Sequence, residues 1–298
     1  MRPSGEIAYV DALLADSARE HPEFARAFER DFHWGYWSDG RAADPVEEYA
    51  GAAARMTAEV CRALDVQPGQ RILDAGCGIG GALRSLNDSL RGAHLVGLNI
   101  DERQLRNAAL GACSGGPSAG NRLELVAGDA CSLPFPNAFF DRVLALECIF
   151  HFPDRRQFFQ EVRRVLKPGG ILALTDFVPS DRLAPWIRLG WRSPIQRHIR
   201  RMSGSVDIRS TLRDYRDLAA EVNFECIRQE DISVNVLPSC PVLRQLVRRV
   251  GERVSNSRVH RLSIQTAMRV SEWSLRSGFV RYMILAFRDT RELTPDCL

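Results

Sequence analysis

Two clusters in the chain have the residue types and spacing for chemistry. In Glu147-Cys148-Ile149-Phe150-His151 a carboxylate and an imidazole stand four residues apart. Imidazole titrates near neutrality, so His151 is suited to take a hydroxyl proton as that oxygen attacks an electrophile. A packed histidine that only orders its loop would give the same pattern. Asp176 is a candidate to orient His151 or to contact a substrate, with a capping or solvent-exposed aspartate as the alternative. The second cluster is Arg71 to Gly81, where Asp74 precedes Gly76, Gly78, Gly80 and Gly81. Gly76, Gly78 and Gly81 satisfy G-x-G-x-x-G, the turn that admits a nucleotide phosphate. Without Cβ atoms the loop can take positive φ and let a ligand approach the backbone. A carboxylate two residues before the first glycine suits a cationic amino group better than an anionic pyrophosphate.

The elements that must position these residues are legible as hydrophobic periodicity. Ile72 and Leu73 lead into the glycine turn, and Ala82, Leu83, Leu86 and Leu90 follow at helical spacing. Further strands are expected at 93–99, 123–126, 142–146 and 171–175, with a helix at 45–64 and another carrying Phe158, Phe159, Val162, Val165 and Leu166. Alternating strands and helices imply an α/β fold with ligands beyond the carboxyl ends of the strands, where Glu147 and His151 emerge. After 178 the pattern gives a helix through Leu212 to Val222, a strand at 226–236, a helical stretch at 241–275 and a last strand at 282–287. Ahead of the core, 8–30 reads as amphipathic helix. Asp31-Phe32-His33-Trp34-Gly35-Tyr36-Trp37 then reads either as a hydrophobic plug or as a gate over a cofactor.

From 66 to about 178 the chain resembles the class I S-adenosylmethionine (SAM)-dependent methyltransferases. The resemblance rests on ordered motifs: Leu73-Asp74-Ala75-Gly76-Cys77-Gly78-Ile79-Gly80, Val96-Gly97-Leu98-Asn99, Gly128-Asp129-Ala130, Leu133-Pro134-Phe135, Phe140-Asp141-Arg142-Val143 and Leu166-Lys167-Pro168-Gly169-Gly170. It implies a Rossmann-like, doubly wound seven-stranded sheet with an N-terminal helical arm and helical lid insertions. The arm and aromatic gate would occupy 1–45, the SAM-binding core 46–178, and the lid insertions with the last two strands 179–298.

The resemblance also implies SAM as cofactor and S-adenosylhomocysteine as product. The residues that would hold it are Tyr36, Asp74, Gly76, Gly78, Gly80, Asn99, Asp129, Ala130 and Leu146. Asn99 stands where the family usually has an acidic ribose ligand, so an amide oxygen accepts one bond without the charge-assisted component. Asp101 lies two residues on. Asp129 would accept the adenine amino hydrogens, or else only shape its turn.

The aromatic segment is similar to that of small-molecule methyltransferases of sterol, tocopherol and natural-product types. The acceptor implied is a small lipophilic metabolite, with His151, Asp176 and Glu147 as the catalytic candidates. Methylation of a hydroxyl with His151 as base stands first. Methylation of a prenyl or terpenoid alkene through a carbocation stabilised by Glu147 stands second. A SAM-binding protein that transfers no methyl, and a nicotinamide oxidoreductase, are the rivals. Arginines 188, 192, 197, 200, 201, 209 and 213 raise an anionic acceptor group, against a merely solvated face.

Bulk properties narrow the classes. A net charge of +3 over 298 residues gives no case for nucleic-acid binding, and the Asp/Asn-Pro-Pro-Tyr segment of nucleic-acid amino methyltransferases is absent after the fourth strand. The eight cysteines form no C-x-x-C pair or metal-spaced cluster, so free thiols in a reducing cytoplasm and no metal site are expected. No apolar run approaches the roughly 20 residues of a membrane span, and no signal peptide is seen. The helices ahead of the core offer a surface for a homo-oligomer.

Overall fold

The computed structural model describes residues 26–28, 30–111, 115–190, 206–254 and 258–291. The elements in chain order are α1 (Tyr49–Leu64), β1 (Arg71–Ala75), α2 (Gly81–Ser89), β2 (His94–Asn99), α3 (Glu102–Leu110), β3 (Arg122–Ala127), β4 (Phe140–Ala145), α4 (Arg155–Val165) and β5 (Leu166–Pro179). After these come α5 (Ala184–Gly190), α6 (Leu212–Glu221), β6 (Phe224–Asp231), α7 (Ser233–Val236), α8 (Ser239–Val254), α9 (Arg258–Arg276) and β7 (Val280–Asp289). The seven strands form one sheet in the order β3-β2-β1-β4-β5-β7-β6. Strands β1 to β5 are parallel, with Asp74 paired to Gly97 on one side and Leu144 on the other. Strand order reverses at β1 and β4, so their carboxyl ends flank the switch point where such sheets bind ligands.

Compact packing divides the chain into two units. One comprises the described parts of Met1–Met56, Phe177–Thr211 and Asp231–Tyr282; the other comprises those of Thr57–Asp176, Leu212–Glu230 and Met283–Leu298. The units are divided at other places than the expected 45 and 178, with 212–230 and β7 from Met283 onward in the second unit. In that unit the parallel strands are covered on both faces, which is why β4 and β5 read as unbroken apolar runs: Val143, Leu144, Ala145, Leu172, Ala173 and Leu174 are fully buried. On the α2 side Ile72, Cys77, Leu83, Leu86, Leu90, Leu95 and Leu105 make a core cluster. A Cβ at Gly97 would collide with Leu83 and Cys77, so glycine there lets α2 close on β2.

In the other unit Ala27, Phe28, Trp37, Tyr49, Ala52 and Val242 form a core cluster. The aromatic segment is packed into it. The His33 ring nitrogens lie 3.0 Å from Asp31 Oδ1 and 3.0 Å from the Trp34 carbonyl, and Tyr49 donates to the His33 carbonyl at 3.1 Å. Trp34 meets Phe177 and Tyr282 ring to ring. Most of the expected helices in 8–30 lie outside the described residues.

The strand expected at 226–236 stops at Asp231, whose carboxylate takes the Ser233 N–H at 3.0 Å and turns the chain into the short helix α7. The helical stretch expected at 241–275 is two helices, α8 and α9. Strand β5 starts earlier than expected and takes in Lys167-Pro168-Gly169-Gly170. No helix among the described residues is long and apolar enough to cross a membrane.

Candidate active site

At the end of β1 the chain must reverse within a few residues into α2. Gly76, Gly78 and Gly80 do this with φ of 93°, 55° and 85°. The N–H groups of Gly76 and Cys77 both bond the Leu98 carbonyl, at 2.7 and 3.0 Å, tying the turn to β2. At Gly76 a Cβ would lie 2.6 Å from the Cβ of Cys148, so packing alone demands glycine. Gly78 differs: an added Cβ would make only ordinary contact, with Gln104 Oε1 at 3.6 Å, so packing does not demand glycine there. Asp74, 1% exposed, lies at the same edge.

Asn99 ends β2 and is 8% exposed. Its Oδ1 accepts the Ile100 N–H at 3.1 Å, which fixes the orientation of the amide because a backbone N–H can only donate. The Nδ2 is buried with no hydrogen-bond partner among the described residues. The oxygen thus already takes one backbone bond, and the end of the amide without a partner among the described residues is a donor. Asp101 is not an alternative acceptor. It caps α3, taking the Arg103 N–H at 2.9 Å and the Arg103 guanidinium at 3.0 and 2.7 Å, and that guanidinium holds its carboxyl below the usual range.

After β3, Asp129 Oδ1 accepts the Cys131 N–H at 2.8 Å, a turn-shaping bond that occupies one of its two oxygens. Ala130 beside it is buried. The loop that follows is held by a pair that sequence reasoning missed. Glu161 accepts the Leu133 N–H at 2.8 Å, and Arg164 donates to the Leu133 and Phe135 carbonyls at 2.8 and 2.7 Å while pairing with Glu161. Their one-turn spacing on α4 was the available signal.

At the end of β4, Leu146 is buried and Glu147 turns the chain with φ of 52°, its N–H donated to Thr175 Oγ1 at 2.9 Å. The Cys148 thiol donates to the Ala75 carbonyl at 2.9 Å, which joins this loop to the glycine turn. Burial pushes that thiol well above its ordinary pKa, so Cys148 is a donor and not a nucleophile. Ile149–His151 form one 3₁₀ turn, with the half-buried His151 ring against Phe150, centroids 4.6 Å apart. Glu147 and His151 are therefore brought together on one loop at the switch point.

Asp176 is 0% exposed, which removes the solvent-exposed alternative. Its Oδ2 takes Arg155 Nη2 at 3.0 Å and the Tyr215 hydroxyl at 2.6 Å, while Arg155 Nε donates to that hydroxyl at 3.2 Å. Burial, then the Asp176 charge, push the Tyr215 phenol well above its usual range, so it stays protonated and donates. A buried carboxylate requires such partners. Both partners were missed in the sequence. The signal was a cation in the first turn of α4, where the helix dipole disfavours it unless an anion is near.

Tyr36 belongs to the other unit. It is half-buried, with its N–H on the Ala52 carbonyl at 2.8 Å and its own carbonyl taking Arg55 Nε at 2.9 Å. Of the arginines raised as an anion site, Arg209 pairs with Asp207 and its carbonyl accepts from Arg188 at 3.4 Å. Arg192, Arg197, Arg200 and Arg201 lie outside the described residues. Among the described residues no group of three or more His, Cys, Asp or Glu is arranged to hold a metal.

Comparison with known proteins adds an independent line. The pattern of the family described as a methyltransferase domain matches residues 73–174. Methyltransferase GfsG of Streptomyces halstedii is 40% identical over 52% of this chain and 54% of its own. A sterol 24-C-methyltransferase of Gibberella zeae is 38% identical over 45% of this chain and 35% of its own. The chain thus spans about half or less of the length of these curated relatives. The 27-O-demethylrifamycin SV methyltransferase of Amycolatopsis mediterranei is 35% identical over 70% of this chain and 71% of its own. Among solved structures, the [4+2]-cyclase SpnF superposes with a TM-score of 0.71 over 97% of this chain and 98% of its own, at 23% identity, a likeness of fold.

Proposed function

This chain belongs to the class I S-adenosylmethionine-dependent methyltransferases, and on that premise we propose that it methylates a hydroxyl of a small lipophilic metabolite. The observation that carries the reading is the junction of two loops at the switch point. The glycine turn after β1 and the Glu147–His151 loop after β4 are joined by the Cys148 thiol on the Ala75 carbonyl.

The residues present fit the cofactor. Gly78 takes positive φ at a place where packing does not demand glycine, and Asn99 presents a buried donor with no partner among the described residues, as a ribose oxygen requires. In this reading Asp74 takes the cationic amino group, Asn99 Nδ2 donates to the ribose, Asp129 Oδ2 accepts the adenine amino hydrogens, and Ala130 and Leu146 line the apolar part. SAM, when bound, supplies a methyl group on a positively charged sulfur. His151 accepts the proton of the attacking hydroxyl. Asp176 serves as a positioning residue: with Arg155 and Tyr215 it fixes the end of β5 and the start of α4, the two elements that frame the His151 loop.

Oxygen is favoured as the acceptor atom because a relative 35% identical over 71% of its own length methylates an oxygen by its name, whereas the 24-methylenesterol C-methyltransferases matched over 60% and 61% of theirs are 27% and 28% identical. The sterol relative, named for carbon methylation, is matched over 35% of its length and supports the second reading, transfer to an alkene carbon. Incubation with methyl-labelled SAM and hydroxylated lipophilic acceptors, with the labelled atom located by mass spectrometry, decides between them. His151→Ala should lower oxygen transfer by about 100-fold or more, and unchanged turnover would remove His151 as base. Label on carbon establishes the second reading. SAM binding with no label on any purified acceptor would favour a protein that holds SAM without spending its methyl group.

A further inference from the structure

Between β3 and β4 the chain that carries Asp129 runs through turns and bends, with no ladder of its own to hold it. Pro134 and Pro136 have no N–H to give, and the carbonyls of Leu133 and Phe135 stand just before them. Two side chains from the end of α4 supply what this backbone lacks. Glu161 Oε2 accepts the Leu133 N–H at 2.8 Å, while Arg164 donates Nη2 to the Leu133 carbonyl at 2.8 Å and Nη1 to the Phe135 carbonyl at 2.7 Å. The two are also locked to each other, Arg164 Nε on Glu161 Oε1 at 2.9 Å and Nη2 on Oε2 at 2.7 Å. That guanidinium holds the Glu161 carboxyl below its usual range, so Glu161 stays an acceptor.

The same grip reaches Asp129. Three successive N–H groups lie along the turn: that of Cys131 goes to Asp129 Oδ1 at 2.8 Å, that of Ser132 to the Asp129 carbonyl at 3.0 Å, and that of Leu133 to Glu161. A carboxylate tied through one oxygen to the Cys131 backbone has its second oxygen placed by where that backbone stands. Behind the turn, the Gly128 N–H meets the Asn99 carbonyl at 3.1 Å, and a Cβ on Gly128 would lie 3.0 Å from Leu98 and 3.5 Å from Pro134. The turn is therefore set against the end of β2 on one side and held by α4 on the other.

We propose, resting on the reading that Asp129 Oδ2 accepts the adenine amino hydrogens, that Glu161 and Arg164 are positioning residues for recognition of the cofactor's base. They act through Asp129. A carboxylate tells an amino group from a carbonyl oxygen only where it is held to within about 0.5 Å. Adenine presents an amino group at that position, and hypoxanthine presents a carbonyl oxygen, which a carboxylate repels. The pair should thus set the preference for adenine over hypoxanthine, beyond any part it has in stability. The alternative is that Leu133, 4% exposed, anchors the turn by its burial alone and the pair is only a surface contact.

The probes are S-adenosylhomocysteine and S-inosylhomocysteine, titrated into full-length wild type, Glu161→Ala, Glu161→Gln and Arg164→Lys. Wild type should prefer S-adenosylhomocysteine by roughly 10-fold or more. Glu161→Ala releases the Leu133 N–H, and the single ammonium of Arg164→Lys cannot span two carbonyls and a carboxylate, so each should cut the preference to about two-fold. Glu161→Gln keeps an oxygen for the Leu133 N–H and should restore the preference to within about three-fold of wild type. In ligand-free protein, amide exchange over 131–137 should quicken by roughly 10-fold in Glu161→Ala, with β1 and β4 exchanging as in wild type. A pair that only stabilises the fold would weaken both ligands by one factor and leave the preference intact, and that result would overturn the proposal, as would a Glu161→Gln variant no better than Glu161→Ala. Unchanged exchange over 131–137 would also overturn it, because the burial of Leu133 would then be what holds the turn. Equal binding of the two ligands by wild type would instead remove Asp129 as the adenine acceptor, and the proposal would fall with that premise; a failure of the pair alone leaves the wild-type preference standing.

Discussion

The turn after β1 and the turn after β4 lie side by side, and both require left-handed backbone. The first meets the requirement with three glycines, at φ of 93°, 55° and 85°; the second meets it with a glutamate at 52°. Glycine removes the side chain, and at Gly78 packing does not account for that, since an added Cβ would make only ordinary contact at 3.6 Å. Glutamate retains the side chain at a cost of about 1 kcal/mol in backbone strain. Two neighbouring loops with the same conformational need thus carry opposite demands, one for backbone surface and one for a functional group. In the proposed reading the first loop meets the cofactor and the second the acceptor.

The contrast is sharpened first by the support beneath the second loop. Asp176 adjoins Thr175, which holds the Glu147 N–H, and its buried pair with Arg155 is a framework contact. Asp176→Ala leaves Arg155 buried without its counter-charge and should cost about 3–5 kcal/mol in denaturant unfolding. A loss below about 1 kcal/mol, the scale of an exposed pair, would show that the network is not what fixes this loop.

Gly78→Ala tests the other side. A Cβ there meets no protein atom closer than 3.6 Å, so the variant should fold, yet it places a methyl on the backbone at positive φ. S-adenosylhomocysteine affinity should fall by roughly 10-fold or more. Asn99→Leu removes the buried donor and should weaken the same ligand by a smaller factor, about 3–10-fold, the scale of one hydrogen bond. If Asn99→Leu binds as tightly as wild type, the Nδ2 group does not meet the ribose.

Much of the fold was legible because a parallel sheet covered on both faces writes its strands as apolar runs, and because the glycine turn between β1 and α2 has a distinct composition. The break at Asp231 was not legible, since a carboxylate that takes the Ser233 N–H looks like any polar residue inside a strand. In the candidate site, the place of Glu147 and His151 on the loop after β4 was legible. The left-handed turn at Glu147 was not, because glutamate carries no sign of positive φ. The partners of Asp176 escaped for another reason. Arg155 and Tyr215 lie 21 and 39 residues away in sequence and meet it only through packing. That Nδ2 is the end of the Asn99 amide left over needed the Ile100 N–H to be located.

The most direct test is a single calorimetric titration of S-adenosylhomocysteine into three proteins: wild type, Gly78→Ala and Glu147→Gly. The account predicts affinity lowered roughly 10-fold or more in Gly78→Ala and kept within about two-fold of wild type in Glu147→Gly. Equal losses in both variants, or a loss confined to Glu147→Gly, would contradict the division of the site into a cofactor loop and an acceptor loop.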